Sequence, residues 1–124
     1  MLGKTVLVVD DHAPTRLGYS AFLSECGYRV LQAGHGGEAI VQSCRELPDV
    51  VLLDLAMPAV SGIETAEWLR RYAGPARPRI IVVTGCAAGA DRERMGDLCD
   101  DILEKPCDPH TVEARIRRFA QVTP

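Results

Sequence analysis

Five side chains of this 124-residue chain sit where a single rule would place reactive groups. Asp10 and Asp11 follow the apolar run Val6-Leu7-Val8-Val9, and Asp54 follows Val50-Val51-Leu52-Leu53. Thr84 ends Ile80-Ile81-Val82-Val83, and Lys105 comes just after the shorter Ile102-Leu103. Continuous apolar runs of this length, rich in β-branched residues, read as parallel strands buried on both faces. Four strand ends therefore deliver three acids, a hydroxyl and an amine. Two carboxylates about 5 Å apart at an effective dielectric of about 20 repel by roughly 3 kcal/mol, and a third adds comparable amounts. A hard cation is the natural relief. Mg²⁺ accepts a few carboxylate oxygens, keeps waters and leaves room for a phosphate oxygen, which suits three acids with no histidine or thiolate ligand.

The elements that must position this set follow from the apolar periodicity, which alternates five times between continuous runs and a 3.6-residue stripe. Strands are predicted near 5–9, 28–33, 50–54, 79–84 and 101–104, and helices near 13–26, 37–46, 62–73, 90–97 and 108–121. Tyr19, Phe22, Leu23 and Cys26 form the inner stripe of the first helix, and Val112, Ile116, Phe119 and Ala120 that of the last. Ser61-Gly62-Ile63-Glu64 has the form of a capping box, and Asp108-Pro109 pairs an N-cap acid with a first-turn proline. The segment of the fourth helix, Ala87 to Leu98, contains Gly89 and Gly96 with few large apolar residues, so this helix is expected to be short or mobile. Polar residues in the second strand and the shortness of the fifth put both at edges. The order 2-1-3-4-5 satisfies this: a flavodoxin-like, doubly wound (βα)5 α/β fold whose direction reverses between strands one and three, beside the acids.

Length and composition agree with one domain over residues 1–124. A net charge of −3, with no long block of like charges, implies no direct nucleic-acid binding. Five cysteines (Cys26, Cys44, Cys86, Cys99, Cys107) at irregular spacing read as reduced thiols rather than a disulfide framework or zinc site. Without a charged, apolar leader or a membrane-length apolar run, the chain is expected to be soluble and cytoplasmic, with no membrane partner.

The Asp10-Asp11 pair, the segment from Val50 through Asp54 to Gly62, the terminal Thr84 and the Lys105-Pro106 dipeptide together resemble the receiver domain of two-component response regulators, of the single-domain, CheY-like type. The resemblance covers essentially the whole chain. It implies that Asp54 is the phosphoacceptor and that Asp11 and Asp54 bind Mg²⁺ with the backbone carbonyl of Ala56, Asp10 holding the metal through water. It implies further that Thr84 and Lys105 contact the phosphoryl oxygens and that the Lys105-Pro106 bond is cis. The donor would be a phosphohistidine on a sensor histidine kinase or histidine phosphotransfer protein. The phosphorylated state would then alter binding of a downstream protein, with a homodimer as a further assembly open to the chain. On this reading the chain promotes its own phosphorylation and dephosphorylation and is not a turnover enzyme. Ala56 and Cys86 occupy the positions that tune dephosphorylation in the family, and neither carries a charge to position water.

Ile102 stands where the family usually carries a tyrosine or phenylalanine that swings inward, and Leu98 where it carries a glycine. These departures motivate an alternative reading, a weakly switching receiver-like binding module acting largely independently of phosphorylation. A phosphohydrolase with Asp54 as nucleophile is disfavoured because Ala56 leaves the D-x-D pattern unmade, and an acidic pair would repel a flavin phosphate. The Gly34-His35-Gly36-Gly37 stretch lacks the spacing of a phosphate loop and reads as a turn. His12 reads as an exposed loop residue, and Arg115, Arg117 and Arg118 as complements to a helix C-terminal dipole.

Overall fold

Apolar side chains alternate across five short strands, and two layers of helix cover the two faces so produced. The computed structural model describes residues 4–55, 61–72, 78–85 and 90–120, excepting the side chains of residues 72 and 90–92. Its elements are β1 (Thr5–Val9), α1 (Ala13–Glu25), β2 (Arg29–Ala33), α2 (Gly36–Glu46), β3 (Val50–Leu53), α3 (Gly62–Tyr72), β4 (Arg79–Thr84), α4 (Ala90–Gly96), β5 (Asp101–Glu104) and α5 (Pro109–Ala120). All strand pairs are parallel and the order is β2-β1-β3-β4-β5. The predicted topology is therefore observed, with element ends displaced by one or two residues. The readings placed on Ala56, Cys86 and Gly89 lie outside the described residues.

Strand parity sorts the core. Val6, Val8, Val50, Leu52, Ile81 and Val83 face α1 and α5, where Leu23, Val112 and Ile116 cover them. Leu7, Val9, Val51, Leu53, Ile80 and Val82 face the other layer, covered by Ala39, Ala66, Leu69 and Met95. Because β1, β3 and β4 are buried on both faces, their inner runs Val6–Val9, Val50–Leu53 and Ile80–Val83 are apolar without a break. The edge strands are not: β2 carries exposed Arg29 and half-buried Gln32, and β5 begins with Asp101.

Local chemistry marks the helix starts. At α3 the capping box forms in both directions, Glu64 N–H donating to Ser61 Oγ and Ser61 N–H to Glu64 Oε1, each at 3.2 Å. At α5, Asp108 Oδ1 accepts from His110 N–H at 2.7 Å. Two readings are corrected. The glycine stretch is not wholly a turn, since Gly36 and Gly37 open α2 and His35 caps it, its Nδ1 accepting from Glu38 N–H. Likewise Arg115 and Arg117 do more than complement a dipole: they are ion-paired with Asp101 and Glu113, within reach of their own helix and the neighbouring edge strand. Helix α4 spans seven residues, short as expected. No helix among the described residues is long and apolar enough to cross a membrane. Cys26, Cys44, Cys99 and Cys107 take no part in a disulfide.

Candidate functional site

The carboxyl ends of β1 and β3 lie side by side, in register Val9 to Leu53, so the residues that follow them share one crevice. Asp10 continues the ladder for one more bond, its N–H donating to Ala33 O at 3.1 Å, and Asp54 does the same to Val9 O at 3.0 Å. Both acids are thereby held at the strand ends and both are buried, whereas Asp11, one residue further into the loop, is exposed. Carboxylate oxygens of Asp10, Asp11 and Asp54 all lie within 4.8 Å of one another. Three hard oxygen donors from two strand ends, one of them open to solvent, fit a cation such as Mg²⁺ that binds a few carboxylates and keeps water.

Strand β5 brings in the amine. Lys105 N–H donates to Thr84 O at 2.8 Å, and its Nζ lies 3.3 Å from Asp10 Oδ2 and 3.6 Å from Asp54 Oδ1. The Lys105-Pro106 bond is cis. Thr84 is buried at the end of β4, next to β3 in the sheet. Lys105 relieves part of the crowding that the three acids create. At a dielectric of about 20 each acid pair repels by roughly 3–3.5 kcal/mol, and each Lys105 contact offsets roughly 4.5–5 kcal/mol. Lysine thus compensates much of the repulsion among the acids, and the residual negative charge is concentrated at the exposed Asp11.

The surroundings fix these groups. His12 N–H donates to Asp10 Oδ1 at 2.9 Å, and the His12 ring caps α1, Nδ1 accepting from Thr15 N–H. His12 is therefore exposed, as the sequence suggests, but is a helix cap rather than a plain loop residue. Gly62 opens α3 against the end of β3, and a Cβ there would collide with the Asp54 carbonyl oxygen and Leu55 Cα. Space rather than backbone freedom is thus what requires glycine. Beneath the site a cavity of about 10 Å³, about one water in size, is lined by Asp10, Tyr19, Asp54 and Val83 among others. Tyr19 Oη donates to Cys107 O at 3.0 Å. Burial above all, with Cys107, Asp10 and Asp108 nearby, pushes the Tyr19 phenol above its ordinary value and keeps it a donor. Burial also pushes the Cys107 thiol up, so it adds no charge beside the site.

Sequence reasoning placed Tyr19 only on the core stripe of α1 and passed over Arg16. The structure gives Arg16 a role at the site's edge, its Nη1 donating to Asp10 O at 2.8 Å and its Nε to Gln32 Oε1 at 3.2 Å. A cation one turn into the helix that follows the acid pair was the available signal. Ile102, half-buried, packs against the core of the α2–α3–α4 layer, as Leu98 and Trp68 each do. The Ala56 carbonyl lies outside the described residues.

A parallel sheet in this order with three acids and a lysine at its carboxyl end defines a class of phosphoryl-responsive signalling domain, and the comparisons agree. Residues 6–117 match the response regulator receiver domain, and the chain belongs to that family. It is 36% identical to the phosphate regulon transcriptional regulatory protein PhoB of Pseudomonas aeruginosa over 99% of this chain and 54% of that protein. It is 33% identical to the protein PilH of the same organism over 86% of this chain and 89% of that one. Among solved structures, the Vibrio cholerae chemotaxis protein CheY4 superposes with a TM-score of 0.87 at 26% identity, covering 94% of this chain and 98% of that one. The chain spans about half the length of PhoB and of several other curated relatives it matches.

Proposed function

We propose that residues 1–124 work as one receiver unit that accepts a phosphoryl group on Asp54 from a sensor histidine kinase or histidine phosphotransfer protein, in the cytoplasm, and thereby changes its affinity for a downstream protein. The observation that carries the reading is the position of Lys105 Nζ between the Asp10 and Asp54 carboxylates, with Asp11 alongside. Asp54 is held at a strand end with its carboxylate beside a cation, the state a nucleophile toward phosphorus requires. One of its oxygens would form the new P–O bond while the P–N bond to the donor imidazole breaks, the bond pair leaving with that nitrogen. Lys105 lies where it would meet an equatorial phosphoryl oxygen, and the Thr84 hydroxyl would donate to another. Asp10, Asp11 and Asp54, with the Ala56 carbonyl, would hold Mg²⁺. Bound there, the ion would supply charge neutralisation for the transferring group.

The module modifies itself and does not turn over a substrate. Its acyl phosphate is open to hydrolysis, so the signal is transient. Incubation with acetyl phosphate and Mg²⁺ is expected to add one phosphoryl group, read by intact-protein mass, and Asp54→Ala is expected to abolish it. Unchanged modification of Asp54→Ala, or modification indifferent to Mg²⁺, would overturn the reading. A second reading, a module that keeps the pocket but switches weakly, is favoured by the aliphatic Ile102 packed against the core of the α2–α3–α4 layer. Identical hydrogen exchange along α4, β5 and α5 with and without beryllofluoride would select it.

A further inference from the structure

We propose that Arg16 is a positioning residue of the acidic site, one that aims Asp11 by holding the peptide bond that precedes it. The inference rests on the reading that the three acids seat Mg²⁺. The Asp10 carbonyl and the Asp11 N–H belong to one planar peptide unit, so fixing that oxygen fixes the plane from which the Asp11 side chain leaves. Asp10 is tethered at four points: N–H to Ala33 O, Oδ1 by His12 N–H, Oδ2 by Lys105 Nζ, and carbonyl O by Arg16 Nη1 at 2.8 Å. Only the last of these orients the following peptide. Asp11 itself is exposed and, unlike Asp10 and Asp54, is not held by the strand ladder, so its aim depends on that peptide.

Arg16 can do this because its planar fork is held elsewhere. Its Nε donates to Gln32 Oε1 on the edge strand β2, locking the guanidinium between helix and sheet. Gly34 leaves the space it occupies, since a Cβ there would come within 3.3 Å of Nη1. Groups that orient the ligands of a metal from one shell out commonly set its affinity, and their loss costs about tenfold or more.

Magnesium chloride titrated calorimetrically into the purified chain, and ¹⁵N/¹³C spectra of the metal-free chain, test this. Arg16→Gln is expected to move the Asp11 amide and Asp10 carbonyl resonances, leave strand resonances in place and weaken Mg²⁺ binding about tenfold. Arg16→Lys, which keeps the charge but not the fork, is expected to recover only part of that loss. Gln32→Ala, which frees the fork without touching Asp10, is expected to weaken binding by less and serves if Arg16→Gln does not fold. Wild-type affinity in Arg16→Gln, whatever its stability, overturns the assignment, as does full recovery in Arg16→Lys, which would make the effect one of charge. A wild-type chain that binds no Mg²⁺ overturns the functional reading as well, and is thereby told apart.

Discussion

The two ends of the sheet handle charge in opposite ways. At the carboxyl end three acids crowd together, two of them paired with one lysine and the third facing solvent. At the amino end of β4 and β5 a single acid, Asp100, sits among more partners than it needs. Its Oδ2 accepts from Ile80 N–H at 2.8 Å and from Arg70 Nη2 at 2.7 Å, and its Oδ1 from Arg79 Nη1 at 3.2 Å. Arg70 continues outward to the carbonyls of Leu98 and Pro78, so one side chain stitches α3 to the loops before β4 and β5. A protein that only had to be stable would resemble the second end. The first end gives up some stability to keep an anionic hollow ready for a cation, as functional sites commonly do.

The sharpest way to break the comparison is to remove Asp100. Asp100→Ala leaves the Ile80 N–H and the Arg70 guanidinium without their carboxylate, and breaking this half-buried pair from one side costs about 2 kcal/mol once solvent screening is allowed for. Urea unfolding measures it. A change under 1 kcal/mol would mean the clamp is ornamental. The pH dependence gives an independent reading. Burial alone would push the Asp100 carboxyl up, but the Ile80 N–H and the two guanidiniums outweigh it and hold it below its ordinary value. A carboxyl lowered on folding adds stability that is complete above the unfolded-state value and is lost as pH falls through the folded one. The acid limb of the unfolding free energy should therefore flatten in Asp100→Asn, while stability at neutral pH drops.

At the other end the sign reverses. Asp54→Asn removes two repulsions of roughly 3–3.5 kcal/mol each and one lysine attraction of roughly 4.5 kcal/mol at a dielectric of about 20. The metal-free protein should thus gain about 1–2 kcal/mol, water screening the rest. The same change should blunt stabilisation by Mg²⁺, which for the wild type amounts to about 2.7 kcal/mol at one hundred times the dissociation constant. Thermal melts with and without Mg²⁺ give both numbers. Destabilisation of the metal-free protein by Asp54→Asn would erase the contrast between the ends.

The contrast was only half legible in the sequence. Continuous apolar runs announce central strands and the polar residues in Arg29–Ala33 an edge, so the sheet order and the convergence of Asp10, Asp11 and Asp54 followed from pattern alone. The Ser61 capping box was equally readable, because its two hydrogen bonds are local. Asp100 was not. Its partners Arg70 and Arg79 lie 30 and 21 residues away, and no local spacing relates them. The histidine caps at His12 and His35 escaped because an imidazole accepts only through a bare ring nitrogen, whose direction a sequence does not carry. Lys105 was assigned to the site, but that it compensates Asp10 and Asp54 could be weighed only with distances.

The smallest expected effect tests whether the amino end is as relaxed as its clamp suggests. Helix α2 ends there at Leu47, which adopts φ 47° and ψ 62° with its side chain largely exposed. The left-handed region costs an L-residue about 1–2 kcal/mol, and glycine escapes that while losing about 0.5–1 kcal/mol more in chain entropy on folding. An exposed leucine contributes little burial to set against the difference. Leu47→Gly should therefore stabilise the fold by about 0.5–1 kcal/mol. Strain at this helix end has no connection to the acidic hollow, so the gain should be the same with and without Mg²⁺ and should add to that of Asp54→Asn in the double variant. Dependence of the Leu47→Gly gain on Mg²⁺ would couple the two ends and dissolve the division of labour between them.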